Sequence, residues 1–239
     1  MAAKLPQRGN MALSSGKCGM VPYVVPFALY LVFSQVAAYY DELYPWLYIA
    51  TVIMVSGATI YLLSGRKLFR VHRNIFPGIA FGIAGILVWI LLSESNVDET
   101  VISVLPVWLQ PEQRLGFNPF EDISSPFFQW LFVLVRSVGL VLLVPVAEEL
   151  FWRGFLLRWV ISASWEEQPL GIFTFRSFLW IVLLFTSAHP EWFAAAVYCT
   201  LLNLLLYWKK DLWLCIIAHG TSNFILVIYV LLTGSWVLW

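Results

Sequence analysis

Charge is scarce in this chain. Only 12% of its 239 residues are Asp, Glu, Lys or Arg, about half the ~25% usual in soluble proteins. Hydrophobic residues make up 61%. So little polar surface cannot cover a globule in water. The formal net charge is +0, which gives no electrostatic footprint for nucleic acid and no pull toward acidic partners. Cysteine is scarce as well. Cys18, Cys199 and Cys215 are odd in number and form no CxxC, which excludes a disulfide framework. Cys199 and Cys215 lie in apolar runs, where a free thiol behaves as a small hydrophobe. Cys18 stands apart in the polar N-terminal segment as a candidate for modification. Histidine is limited to His72, His189 and His219. There is no H-E-x-x-H, no strand-like alternation and no internal repeat.

What the chain does contain is long apolar runs. A membrane-spanning helix needs about 20 mostly apolar residues. Residues 1–20 are polar and basic, with Lys4, Arg8 and Lys17. An apolar stretch, 21–39, follows. It is long for the apolar part of a signal peptide and has no clear small-x-small cleavage site after it, so an uncleaved first span is expected. Further runs cover 43–63, 75–92, 126–147, 177–188, 192–208 and 212–232, and a helical extension runs from Glu148 to about residue 163. The expected fold is all-α: a polytopic membrane helix bundle with seven or eight hydrophobic segments, in a multi-pass integral membrane protein. Many of the 13 Trp and 10 Tyr suit lipid-facing bulk or headgroup-level belts.

Loop charge sets an expected orientation. The N-terminus, the basic 64–74 segment and Lys209-Lys210 belong on the cytoplasmic side, and the acidic 93–125 region outside. Within that region 101–109 suits either a short interfacial helix or a surface loop. His72, in the basic segment, is expected on the solvated surface. One tension follows. If 177–188 crosses straight from inside to outside, His189 ends at the outer face while Glu148 and His219 sit nearer the inner one. A short, tilted or broken segment is required for them to meet, and Pro145 and Pro190 are places for a break.

Polar groups in lipid are costly and mark function. The densest run is Glu148-Glu149-Leu150-Phe151-Trp152-Arg153-Gly154. On a helix Glu149 and Arg153 are four apart and pair on one face. Glu148 is rotated by roughly 100° from Glu149 and points elsewhere. Phe185-Thr186-Ser187-Ala188-His189 ends one apolar segment. His219-Gly220-Thr221-Ser222-Asn223 lies inside another, with His219 and Asn223 on one face. Each group also has a plain structural use, as a helix-end feature or as hydrogen bonding between helices. Together they have a chemical use. A carboxylate beside an imidazole holds and deprotonates water, and His and Asn donors stabilise an oxyanion. Two His and one Glu also match the ligand set of a catalytic zinc.

The series E-E-x-x-x-R, F-x-x-x-H and H-x-x-x-N, on successive apolar helices, resembles the CAAX protease and bacteriocin-processing (CPBP) family, which includes the type II CAAX prenyl endopeptidases. Trp152 stands where that family commonly has Phe. The resemblance implies an intramembrane endopeptidase. In it Glu148 activates water held by His189, His219 and Asn223 form the oxyanion site, and Glu149 and Arg153 support them. It also implies no obligatory cofactor, with zinc the alternative. The implied partners are a membrane-anchored peptide or protein substrate and the lipid bilayer, with no nucleic acid, in a bacterial-type inner membrane. The implied organisation is a polar segment at 1–20, variable leading helices and a polar loop at 21–125, and a catalytic core at 126–239. Two other classes fit the composition. One is a non-catalytic scaffold or immunity-type protein. The other is a small proton-coupled transporter using the buried Glu and His with Arg136.

Overall fold

The computed structural model describes residues 19–95, 103, 106, 110 and 116–239. The polar segment 1–20 therefore lies outside the described residues apart from Gly19 and Met20. The expected 101–109 helix lies outside them apart from Ser103 and Pro106. Every regular element among the described residues is helical. The principal helices are α1 (Val21–Tyr39), α2 (Tyr44–Leu63) and α3 (Phe76–Glu94), then α4 (Pro126–Ile161), α5 (Phe175–Ser187), α6 (Trp192–Lys209) and α7 (Leu212–Thr233). Five of them, α1, α2, α3, α4 and α7, are long and apolar enough to cross a membrane.

Local chemistry explains the boundaries. Pro77 and Pro126 occupy first-turn positions, where a missing N–H costs nothing. Thr174 caps α5 by accepting the Ser177 N–H at 3.1 Å, and Asp211 caps α7 through the Trp213 N–H at 2.9 Å. Lys210, at φ 53, makes the tight reversal between α6 and α7.

The surface is that of a protein solvated by lipid. Large apolar side chains such as Ile53, Tyr61, Leu91, Phe127 and Leu142 are exposed, while Glu149, Arg153 and Asn203 are fully buried. Helix α3 packs along α6 and α7, α1 along α2, and α4 touches α1, α2, α5 and α7. Gly78 and Gly82 permit the α3–α7 approach. A Cβ at Gly82 would lie 2.5 Å from the Ala218 carbonyl oxygen, and one at Gly78 would lie 2.8 Å from that of Leu214. Small residues let membrane helices close in this way. The seam is tied by the Ser222 hydroxyl, which donates to the Gly82 carbonyl at 2.8 Å. Gly82→Val is expected to open it and lower folded protein in membranes by an overpacking cost of about 1–3 kcal/mol. A detergent melting curve checks this, and an unchanged midpoint would refute the packing argument.

The two basic clusters share one end of the bundle. His72 Nε2 lies 2.7 Å from an Asp211 carboxylate oxygen, and the Trp213 indole N–H donates to the His72 carbonyl at 3.1 Å. His72 is therefore not simply solvated surface, as its sequence context suggested. It is half-buried and clamps the α2–α3 loop to the α6–α7 turn.

The topological tension is relieved by length. Helix α5 has only 13 residues, a rise of about 20 Å, against a hydrocarbon core of about 30 Å. It is too short to cross by itself, and His189 follows in the turn before Pro190. The chain does not break at Pro145. Instead α4 continues through two wide π-helical stretches, Gly139–Leu143 and Leu150–Leu156. Pro145 cannot donate to the Val141 carbonyl four residues back. Gly220 lets α7 close on that carbonyl, where an added Cβ would sit 2.9 Å away.

Candidate active site

Glu148 and Glu149 end the short α-helical stretch between the two π-helical stretches of α4. Such irregular turns re-aim side chains and cluster at functional sites. Glu149 and Arg153 are both wholly buried. Arg153 Nη1 donates to Glu149 Oε1 at 3.2 Å, so the expected i,i+4 pair forms. The same oxygen accepts from His219 Nδ1 on α7 at 2.9 Å. One carboxylate oxygen thus joins two helices and two bases. With Nδ1–H spent on Glu149, His219 presents Nε2 as its free nitrogen.

Glu148 is buried to 7% exposure and takes no part in these hydrogen bonds. Its Oε2, like that of Glu149, has no hydrogen-bond partner among the described residues. A buried carboxylate oxygen left unpaired is costly unless it has a role.

His189 lies in the turn after α5. Its Nδ1 faces the Phe185 carbonyl at 2.7 Å. A carbonyl can only accept, so Nδ1 carries a hydrogen and Nε2 is left free. The ring stacks on Phe185, with centroids 4.3 Å apart. Phe185 also lies under the Arg153 guanidinium at 5.1 Å, so one ring supports both groups. Trp89 on α3 completes the wall, 5.9 Å from His189 and 5.8 Å from Tyr198. Tyr198 in turn sets its ring edge-on to His219 at 5.8 Å.

Asn223 sits one turn beyond His219 on α7. Its Nδ2 donates to the Leu140 carbonyl in the first π-helical stretch at 2.7 Å. The amide has a second N–H, which remains for another acceptor.

Residues 128–225 match the type II CAAX prenyl endopeptidase Rce1-like family. The matched stretch runs from α4 to α7 and includes Glu148, Glu149, Arg153, His189, His219 and Asn223. No curated protein and no solved structure matched the chain. The Rce1-like region points to a protease of the membrane, as the apolar helices do for location.

Several residues around these side chains escaped the sequence reading. Asn203 on α6 accepts from Arg153 Nε at 3.2 Å. Cys199 offers its carbonyl at 3.4 Å and its sulfur at 3.2 Å to Nη2, and so does more than fill space. An Asn inside the apolar run 192–208 was a signal available in the sequence, since lipid penalises it. Trp89 gave none, being one aromatic among many. Among the described residues no three His, Cys, Asp or Glu side chains gather into a group that could hold a metal ion.

Proposed function

We propose that this protein is an intramembrane endopeptidase that cuts a peptide bond of a membrane-anchored substrate with water activated by Glu148 and His189. The observation that carries the reading is the division of labour between the adjacent carboxylates. Glu149 is committed through Oε1 to Arg153 and His219, while buried Glu148 takes no part in that network; among the described residues Oε2 of each carboxylate is without a partner.

In this mechanism a water sits between Glu148 and the free Nε2 of His189. Glu148 takes a proton as the water oxygen bonds to the scissile carbonyl carbon. The carbonyl oxygen becomes an oxyanion and receives hydrogen bonds from His219 Nε2–H and the second N–H of Asn223. Collapse breaks the C–N bond, and the proton held by Glu148 passes to the leaving amine. His219 donates through Nε2 only as an imidazolium. Glu149 Oε1, 2.9 Å from Nδ1, accepts the other N–H of that ring. The catalytic core is 126–239; the leading helices contribute the Trp89 wall.

No step needs a tightly bound metal, and Asn223 separates the two chemistries. Asn223→Ala is expected to lower kcat by roughly 10²–10³-fold, by analogy with other oxyanion donors. KM should change little, because the bond strengthens in the transition state. Turnover of a membrane-anchored reporter peptide, with and without added zinc, checks it. Activity of the variant restored by zinc would reject the mechanism.

A further inference from the structure

Arg136 on α4 is a buried cation that no carboxylate side chain answers among the described residues. It is 8% exposed. Among the described residues it makes a single hydrogen bond, from Nη1 to the Tyr44 hydroxyl, and no salt bridge. Its guanidinium lies over the rings of Tyr48 at 4.7 Å, Trp239 at 5.3 Å and Tyr44 at 5.9 Å. The other buried arginines are provided for. Arg153 has Glu149, and Arg158 has two backbone carbonyls with Glu166 nearby. Arg136 has five N–H donors in a planar fork and spends one. Aromatic faces attract a cation only weakly beside the cost of stripping its water, so a buried guanidinium normally keeps a carboxylate or phosphate.

Its position relates it to the site. Arg136 precedes Glu148 by 12 residues on one continuous helix, a rise of roughly 18 Å. Leu140, which holds Asn223, lies between them. An extended peptide covers that span with about five residues.

We propose that the Arg136 cage is a carboxylate-binding subsite that anchors the peptide substrate about five residues from the bond cut at Glu148. The inference rests on the peptidase reading above. The carboxylate belongs either to the peptide's C-terminus or to an acidic side chain, and both suit the bidentate fork of Arg.

The test uses the full chain in phosphatidylcholine nanodiscs, as wild type and as Glu148→Gln. The probes are pools of N-lauroylated octapeptides of random sequence. One pool has free C-termini and no Asp or Glu. A second is amidated and likewise lacks acids. A third is amidated with one Glu. Bound peptide is counted by mass spectrometry. The first or third pool is expected to be retained about tenfold over the second, as a charge-assisted hydrogen bond predicts. Which of the two wins names the source. The preference should vanish in Arg136→Gln and survive in part in Arg136→Lys. If the variants do not fold, the comparison on wild type still decides. Equal retention, or none from any pool, overturns the subsite, as does a preference that persists in Arg136→Gln. Arg136-dependent retention of phosphatidylglycerol, with no peptide preference, would assign the cage to a lipid phosphate instead. Acid-selective binding without cleavage by wild type removes the peptidase reading and leaves the subsite. Cleavage without acid preference does the reverse.

Discussion

Glu148→Gln is expected to lower turnover by about 10²–10⁴-fold, the usual contribution of a positioned general base, and to leave the fold intact. Both halves follow from its surroundings. The substitution keeps volume and hydrogen-bonding capacity but removes the lone-pair basicity that takes a proton from water. Glu148 Oε2 has no hydrogen-bond partner to lose, and the Arg153–Glu149–His219 chain does not pass through it. Cleavage of a membrane-anchored reporter peptide, measured beside the size-exclusion profile and melting midpoint of the purified variant, checks both. A well-folded Gln variant that cuts at the wild-type rate would dismiss Glu148 as the base. A variant that fails to fold would show that Glu148, too, is structural.

The helices were legible because lipid as a solvent writes them as continuous apolar runs. The expected spans at 21–39, 43–63, 75–92 and 212–232 fall within one or two residues of Val21–Tyr39, Tyr44–Leu63, Phe76–Glu94 and Leu212–Thr233. The Glu149–Arg153 pair was legible for a local reason: four residues is one helical turn. Long-range partners were not. Nothing in the spacing says that His219 bonds Glu149 Oε1 and not Glu148, since that depends on how α7 rotates against α4. Pro145 misled for a similar reason. A proline predicts a lost hydrogen bond, and two π-helical stretches absorbed the loss without a break. The place of His189 depended on the length of α5, whose 13 residues are too few to span the hydrocarbon core. Asn203 and Cys199 were visible as letters, but their role appears only once Arg153 reaches across to α6.

Arg153→Ala is expected to remove folded protein from the membrane, not merely activity. The guanidinium is wholly buried and reaches Glu149, Asn203 and both the carbonyl and sulfur of Cys199. Truncation leaves a void over Phe185 and a buried carboxylate with only His219 to answer it. Breaking a buried pair from one side costs about 3–5 kcal/mol, a large share of the 5–15 kcal/mol that holds a typical domain together. The penalty comes mainly from the stranded charge, which gives a second arm to the test. Removing both charges at once, as Glu149→Leu with Arg153→Met, is expected to recover much of the lost stability, because apolar side chains of similar size replace an ion pair at little net cost. The double variant should still be inactive, since His219 loses the carboxylate that fixes its ring. Melting curves and membrane abundance for Glu149→Leu, Arg153→Met and the double variant close the cycle. An Arg153→Ala protein that accumulates and melts like wild type yet does not cut would take Arg153 out of the scaffold and place it in the chemistry.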